Sequence, residues 1–133
     1  MVAYSFKKQF VAPILAGTKR QTIRAERKRH ARPGEAVQLY TAMRTRQCRQ
    51  IGIAVCTSVL GIQIDVEGGI IREMETGVAI RTAADLDDFA MLDGFPNWSE
   101  MAAFWRENHP DTPVFSGVLI RWNMFQAAIQ GEW

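Results

Sequence analysis

The chain has 133 residues, a length usual for one domain, so residues 1–133 are expected to form a single unit. Its 47% apolar content excludes a disordered chain, and no apolar run approaches the roughly 18 residues that a membrane helix needs. The net charge of +2 hides an asymmetry: residues 1–50 carry 12 Lys and Arg against Glu26 and Glu35, a net +10, and residues 51–133 carry a net −8. Such a split predicts one electropositive face, for which phosphate is the commonest partner.

The first residues do not form a basic segment followed by an apolar one, so no secretory signal is expected. Cys48 and Cys56 make no disulfide framework and are expected as two buried thiols in a reducing cytoplasm. With no Cys-x-x-Cys pair, and His30 and His109 as the only histidines, no metal site and no cofactor is expected.

In chain order, Ala3 to Phe6 predicts a short strand and Gln9 to Ala16 a short helix. Gly17 supplies the left-handed cap of that helix. Arg32-Pro33-Gly34-Glu35 predicts a turn before a strand over Ala36 to Tyr40. Two separate strands are expected at Ile51–Cys56 and Ile62–Val66. Gly68-Gly69 then turns the chain into Ile70–Met74, and a short strand follows near Val78–Ile80. Thr82 with Asp85, and Asn97 with Glu100, have the spacing of helix N-caps, predicting two helices, the first ending near Gly94 and the second before Pro110. Met101, Phe104 and Trp105 of the second are expected to pack inward. Val114–Trp122 predicts a closing strand, and residues 123–133 a tail that is helical or frayed. Closely spaced strands with turn signals between them predict an α+β fold, a small barrel of five or six mainly antiparallel strands with about three helices around it.

The densest polar cluster is Gly17-Thr18-Lys19-Arg20-Gln21-Thr22-Ile23-Arg24. If residues 21–24 are extended, Thr22 and Arg24 share one face and Ile23 anchors the other. A lysine, a threonine and an arginine together make an anion site. They also permit acyl chemistry, since a desolvated lysine acts as a base and a threonine hydroxyl attacks. Arg24 is the expected anion holder, alone or in an ion pair with Asp93 or Glu26. Arg27-Lys28-Arg29-His30-Ala31-Arg32 forms a dense positive loop suited to phosphate, with Arg20 beside it, and His30 is expected within that loop. Trp98 and Tyr40 are candidates for stacking on a base, whereas Trp105 is expected in the core.

These residues also carry a family resemblance. Gly17-x-Lys19-x-x-Thr22-x-Arg24, preceded by Phe10 and Ile14-Leu15-Ala16, resembles the opening motif of the ASCH domains, small proteins with a PUA-like β-barrel. The turn at Arg32–Glu35 resembles the next block, and Ala90-x-x-Asp93-Gly94-Phe95 ahead of an amphipathic helix resembles the late one. The strand ending at Trp122 resembles the last barrel strand. The blocks span residues 4–122, with a poor match over 61–80 and none after Trp122.

The resemblance implies two functions: an RNA-binding module, or an amidohydrolase that cleaves N4-acetylcytidine to cytidine and acetate with a lysine, a threonine and a glutamate. By position these are Lys19 as base, Thr22 as nucleophile and Asp93 in place of the glutamate, one methylene shorter, holding the lysine or passing protons. RNA or a modified nucleoside is then the expected partner, bound through Arg20, Arg24, Arg27, Lys28, Arg29 and Trp98. A ribonuclease would use the same basic groove but lacks a dedicated pair of histidines. The residues leave these alternatives open.

Overall fold

The computed structural model describes residues 2–127. Seven strands form one mixed sheet with three α-helices: β1 (Val2–Phe6), α1 (Val11–Ala16), β2 (Gln21–Arg24), β3 (Ala36–Thr41), β4 (Arg49–Asp65), β5 (Ile70–Glu73), β6 (Ala79–Ile80), α2 (Ala83–Leu92), α3 (Trp98–Asn108) and β7 (Val114–Ala127). The fold is α+β as expected, with more strands than expected. No helix among the described residues is long and apolar enough to cross a membrane.

The sheet is organised by β4. Its first half pairs with β3 and its second half with β5, while β7 runs antiparallel along almost its whole length. The two separate strands expected over 51–66 are therefore one element of 17 residues. The register against β7 shifts between Ile53 and Ala54 and again between Cys56 and Ser58. A bulge keeps a strand continuous while re-aiming its side chains, so Ile51 and then Ala54 and Cys56 are all buried although the spacing changes phase. Gly61 continues the strand because the Glu75 carboxylate accepts its N–H at 2.9 Å. Likewise β7 extends to Ala127, so residues 123–127 are strand rather than tail. Residues 128–133 lie outside the described part.

The barrel does not close. Among the described residues β1 pairs only with β3, in parallel, and β2 only with β7. Side chains span the seam between these two end strands: Arg24 donates to the Ser5 carbonyl at 2.7 Å and Arg27 to the Ala3 carbonyl at 3.5 Å. The edge carbonyls thus gain partners without a backbone ladder.

Tyr4, Phe6, Val37, Leu39, Ile62, Ile64, Leu119, Ile120 and Trp122 build the core inside the sheet. Each fully buried aliphatic contributes about 1.5–3 kcal/mol. The expected caps are present. Thr82 Oγ1 accepts from Asp85 N–H, Asn97 Oδ1 accepts from Glu100 N–H, and Gly17 closes α1 at φ 81°. Phe10, Phe95 and Phe104 meet with ring centroids 5.2–5.7 Å apart, which docks the first helical segment onto the late pair α2–α3. That docking brings residues 19 and 93 together. Of the cysteines, Cys56 is buried but Cys48 is exposed on the β3–β4 loop, which corrects the expectation of two buried thiols.

Candidate functional site

Residues 18–20 are held on three sides. Thr18 and Lys19 N–H donate to the Pro13 carbonyl of α1, Arg20 N–H to the Leu92 carbonyl at the end of α2, and the Arg20 carbonyl accepts from Trp122 of β7. The loop is therefore as fixed as the elements it joins, and Lys19 is turned inward with 3% of its surface exposed.

Lys19 Nζ donates to the backbone carbonyls of Gln21 (2.8 Å) and Asp93 (2.6 Å), and lies 4.8 Å from the centre of the Phe10 ring. Its third position is a proton in the ammonium and a lone pair in the neutral amine. The Asp93 carboxylate is 4.0 Å away, an ion-pair distance beyond hydrogen-bond reach. Burial pushes the Lys19 ammonium down to about 8; Asp93 pulls it back up and Arg24 adds to the depression. Burial likewise raises Asp93, opposed by Lys19, by the hydrogen bond from Gln21 and by Arg24. Both members of the pair are thus driven toward their neutral forms, and each holds part of the other's charge.

The backbone after α2 makes room for this. Asp93 is the C-cap of α2, and Gly94 follows at φ 97°, in the left-handed region. A Cβ on Gly94 would stand 2.8 Å from Lys19 Cδ and 2.9 Å from a Phe10 ring carbon. The Asp-Gly-Phe run therefore terminates a helix, turns a carboxylate inward and clears a path for the lysine stem.

On β2, Thr22 and Arg24 share a face as expected. Arg24 Nε donates to Thr22 Oγ1 at 2.9 Å, which leaves the hydroxyl proton of Thr22 available. Arg24 makes no ion pair with Asp93 or Glu26 among the described residues. Its guanidinium packs against Phe6 at 4.8 Å, and burial draws it down to about 10, still a cation at neutral pH. On the other face Gln21, fully buried, donates to Asp93 Oδ1 at 3.3 Å and accepts from Arg121 at 3.3 Å. Gln21 was not foreseen as a site residue. Its signal was weak: it stands in the polar cluster of residues 17–24, but strand alternation puts it on the face of Ile23, away from Thr22 and Arg24.

Lys19, Thr22, Arg24 and Asp93 line one cleft of about 300 Å³ on the seam between β1 and β2. That volume is at the small end of ligand pockets. Its walls are aromatic, from Phe6, Phe10, Phe95, Phe104, Trp105 and Phe115. Trp105 is thus both buried and a wall of the cleft. His109, which sequence reasoning weighed only as a metal ligand, lines it too.

The remaining predicted residues lie elsewhere. Arg20, Arg27, Lys28 and Arg29 are exposed. Arg29 pairs with Glu35, and Arg27 donates to the Arg29 carbonyl and lies 4.6 Å from the Tyr4 ring centre. Ala25, where this loop leaves β2, is part of the cleft rim. His30 bridges Tyr4 Oη (2.9 Å) and the Ala25 carbonyl (3.0 Å), tying the loop down. Trp98 opens α3, with its N–H on Asp87 at 2.9 Å, and it does not line the cleft; nor does Tyr40, whose hydroxyl donates to Gln38. Among the described residues, no group of three His, Cys, Asp or Glu side chains could hold a metal.

No family model and no curated protein matches the chain. Solved structures do. The chain is similar to the ASCH protein of Zymomonas mobilis, with 15% identity over 91% of this chain and 65% of that one and a TM-score of 0.51. A point variant of that protein matches at 14% identity, 91% and 67% coverage and a TM-score of 0.52. A protein of Enterococcus faecalis described as DUF984 matches at 14% identity, 94% and 75% coverage and a TM-score of 0.54. The chain spans about two thirds of the length of the Zymomonas protein. At these identities the likeness is one of fold, and the fold of this chain is ASCH-like.

Proposed function

We propose that the cleft hydrolyses an N-acylated cytosine nucleoside such as N4-acetylcytidine. The observation that carries this reading is Lys19. A lysine almost sealed from water, drawn down to about 8, in the same aromatic cleft as a threonine hydroxyl, supports a base for an activated nucleophile. At neutral pH about a tenth of such a lysine is the free amine, against less than a thousandth of an exposed one.

In this reading Thr22 Oγ attacks the acyl carbon and the neutral Lys19 amine takes the hydroxyl proton. Arg24, already on Thr22 Oγ1, steadies the negative charge that develops nearby. The acyl group passes to Thr22, the protonated lysine returns its proton to the leaving amine, and water then hydrolyses the ester. Asp93 acts through position: its carbonyl holds Nζ and its carboxylate tunes it from 4.0 Å. No hydrogen bond joins Lys19 to Thr22 in the unliganded cleft, and such contacts commonly tighten only with substrate bound.

The test is a product assay on N4-acetylcytidine with the wild type, Lys19→Ala and Thr22→Ala. The expected result is cytidine from the wild type alone, with kcat/KM climbing toward a plateau above pH 8 and about a hundredfold lower at pH 6. A wild type that releases no cytidine overturns the reading.

A second reading, RNA binding, is favoured by a separate observation. The exposed basic loop begins at the cleft rim, and among the described residues the Arg20 and Lys28 side chains have no hydrogen bond or ion pair. Binding of a single strand is then expected to weaken with log salt at a slope of about −0.7 per phosphate contact, and replacing Arg27, Lys28 and Arg29 by alanine to flatten that slope.

A further inference from the structure

Polar ends in the cleft are almost all committed to the protein. Lys19 holds two carbonyls, Arg24 holds Thr22 and Ser5, and Asp93 accepts from Gln21. Lys7 Nζ donates to Asn108 at 2.9 Å, and Ser5 Oγ accepts from Met43 N–H. His109 is different. Among the described residues, neither of its ring nitrogens has a hydrogen-bond partner.

The ring is nevertheless held in place. It stacks on Trp105 with centroids 4.5 Å apart and an interplanar angle of 22°, and it meets Phe115 at 5.4 Å. Its backbone is pinned on both sides, since His109 N–H donates to the Trp105 carbonyl and its own carbonyl accepts from Thr112. The residue sits just past α3 at φ −136° and ψ 59°, outside the helical region, so the chain leaves the helix at the point where the ring enters the cleft wall. A neutral imidazole offers one donor and one acceptor. Held against two aromatic rings, the His109 ring offers its nitrogens to a ligand at little further cost in entropy.

We propose that His109 is the specificity-determining residue of the cleft, hydrogen-bonding the polar edge of a flat heteroaromatic ring. This rests on the reading of the cleft as a nucleoside hydrolase site and narrows its substrate class. The preferred substrates are amides of amino-substituted nitrogen heterocycles with a ring nitrogen or carbonyl on the edge, and acyl amines without that edge are poorer ones. Phe and Trp walls hold any flat ring, whereas the ring nitrogens of His109 distinguish a pyrimidine edge from a hydrocarbon one.

The test uses His109→Phe, which keeps a ring against Trp105 and Phe115 but removes both nitrogens, and His109→Gln, which restores a donor and an acceptor. Thermal unfolding of both variants checks that they fold. Cytidine affinity is measured by calorimetry, and hydrolysis on N4-acetylcytidine and on acetanilide, whose ring has no polar edge. The phenylalanine variant is expected to bind cytidine about tenfold more weakly, the loss of one good hydrogen bond. It is also expected to raise KM for N4-acetylcytidine to match, with kcat within about twofold and acetanilide unaffected, and the glutamine variant to recover most of the loss. Cytidine affinity and KM unchanged in a folded His109→Phe, or an equal loss on acetanilide, overturn the proposal while the hydrolase reading stands. A wild type that binds cytidine without hydrolysing its acetylated form, with binding weakened in His109→Phe, keeps the role of His109 in recognising the ring and overturns hydrolysis together with the substrate class drawn from it. A wild type that does neither overturns both.

Discussion

Replacing Asp93 by asparagine is expected to lower the pKa of Lys19 further. The carboxylate stands 4.0 Å from Nζ and is the one group that raises the lysine against its burial. Asparagine has nearly the same shape, keeps an oxygen for Gln21, and leaves in place the two backbone carbonyls that hold the amine. Only the charge is removed. An opposite charge at this range holds a proton on the ammonium, so the titration is expected to fall below about 8 once it is removed. The direction follows from the charge alone: an ammonium that loses a nearby anion releases its proton more readily. Carbon-detected NMR of the lysine Cε, followed from pH 5 to 11, reads this without any substrate. The other lysines, Lys7, Lys8 and Lys28, are exposed, and the buried Lys19 signal is identified by its absence from Lys19→Met. An unchanged midpoint near 8 in Asp93→Asn would refute the electrostatic coupling and with it the role given to Asp93.

Three further outcomes follow from the same geometry. Gly94→Ala is expected to cost about 1–2 kcal/mol through its left-handed backbone alone, and to lower hydrolysis by displacing the Lys19 stem; chemical denaturation and the cytidine assay read the two effects separately. Gly117→Ala would put a Cβ onto the Arg24 carbonyl oxygen, a backbone atom that cannot swing aside, so a loss of about 1–3 kcal/mol and a weakened β2–β7 pairing are expected in denaturation and amide exchange. Lys19→Met tests the burial of the amine. Between pH 8 and 10.5 the unfolded wild type binds the lysine proton and the folded state does not, so wild-type stability rises with pH there by up to about 3 kcal/mol, and the variant lacks that rise.

The parts legible in the sequence are those whose cause is local. Thr82 with Asp85, Asn97 with Glu100 and Gly17 each act within one helical turn, and all were found where their spacing put them. Thr22 and Arg24 share a face because the strand period is two. The juxtaposition of Lys19 with Asp93, 74 residues apart, came only from the resemblance, because no periodicity links a loop to a distant helix end. The continuity of β4 was hidden because Thr57, Ser58 and Gly61 read as a break. Bulges and a carboxylate on Gly61 carry the strand through them. His109 was invisible as a site residue because a lone histidine after a helix has no partner in sequence; only the return of β7 with Phe115 makes it part of a wall.

The position of the cleft follows from the one rule that the sheet breaks. A fully closed barrel would pair β1 with β2 and fill the space between them with a ladder. Here the ladder is missing, and the edge carbonyls of Ala3 and Ser5 are satisfied by Arg27 and Arg24 instead. A side chain reaches farther than a backbone amide, so the strands stand apart and leave room between them for a ligand. The same guanidinium that closes the seam at Ser5 also donates to Thr22 Oγ1. The group that compensates the open edge is therefore the group that polarises the hydroxyl, and the structural and chemical demands on Arg24 cannot be separated.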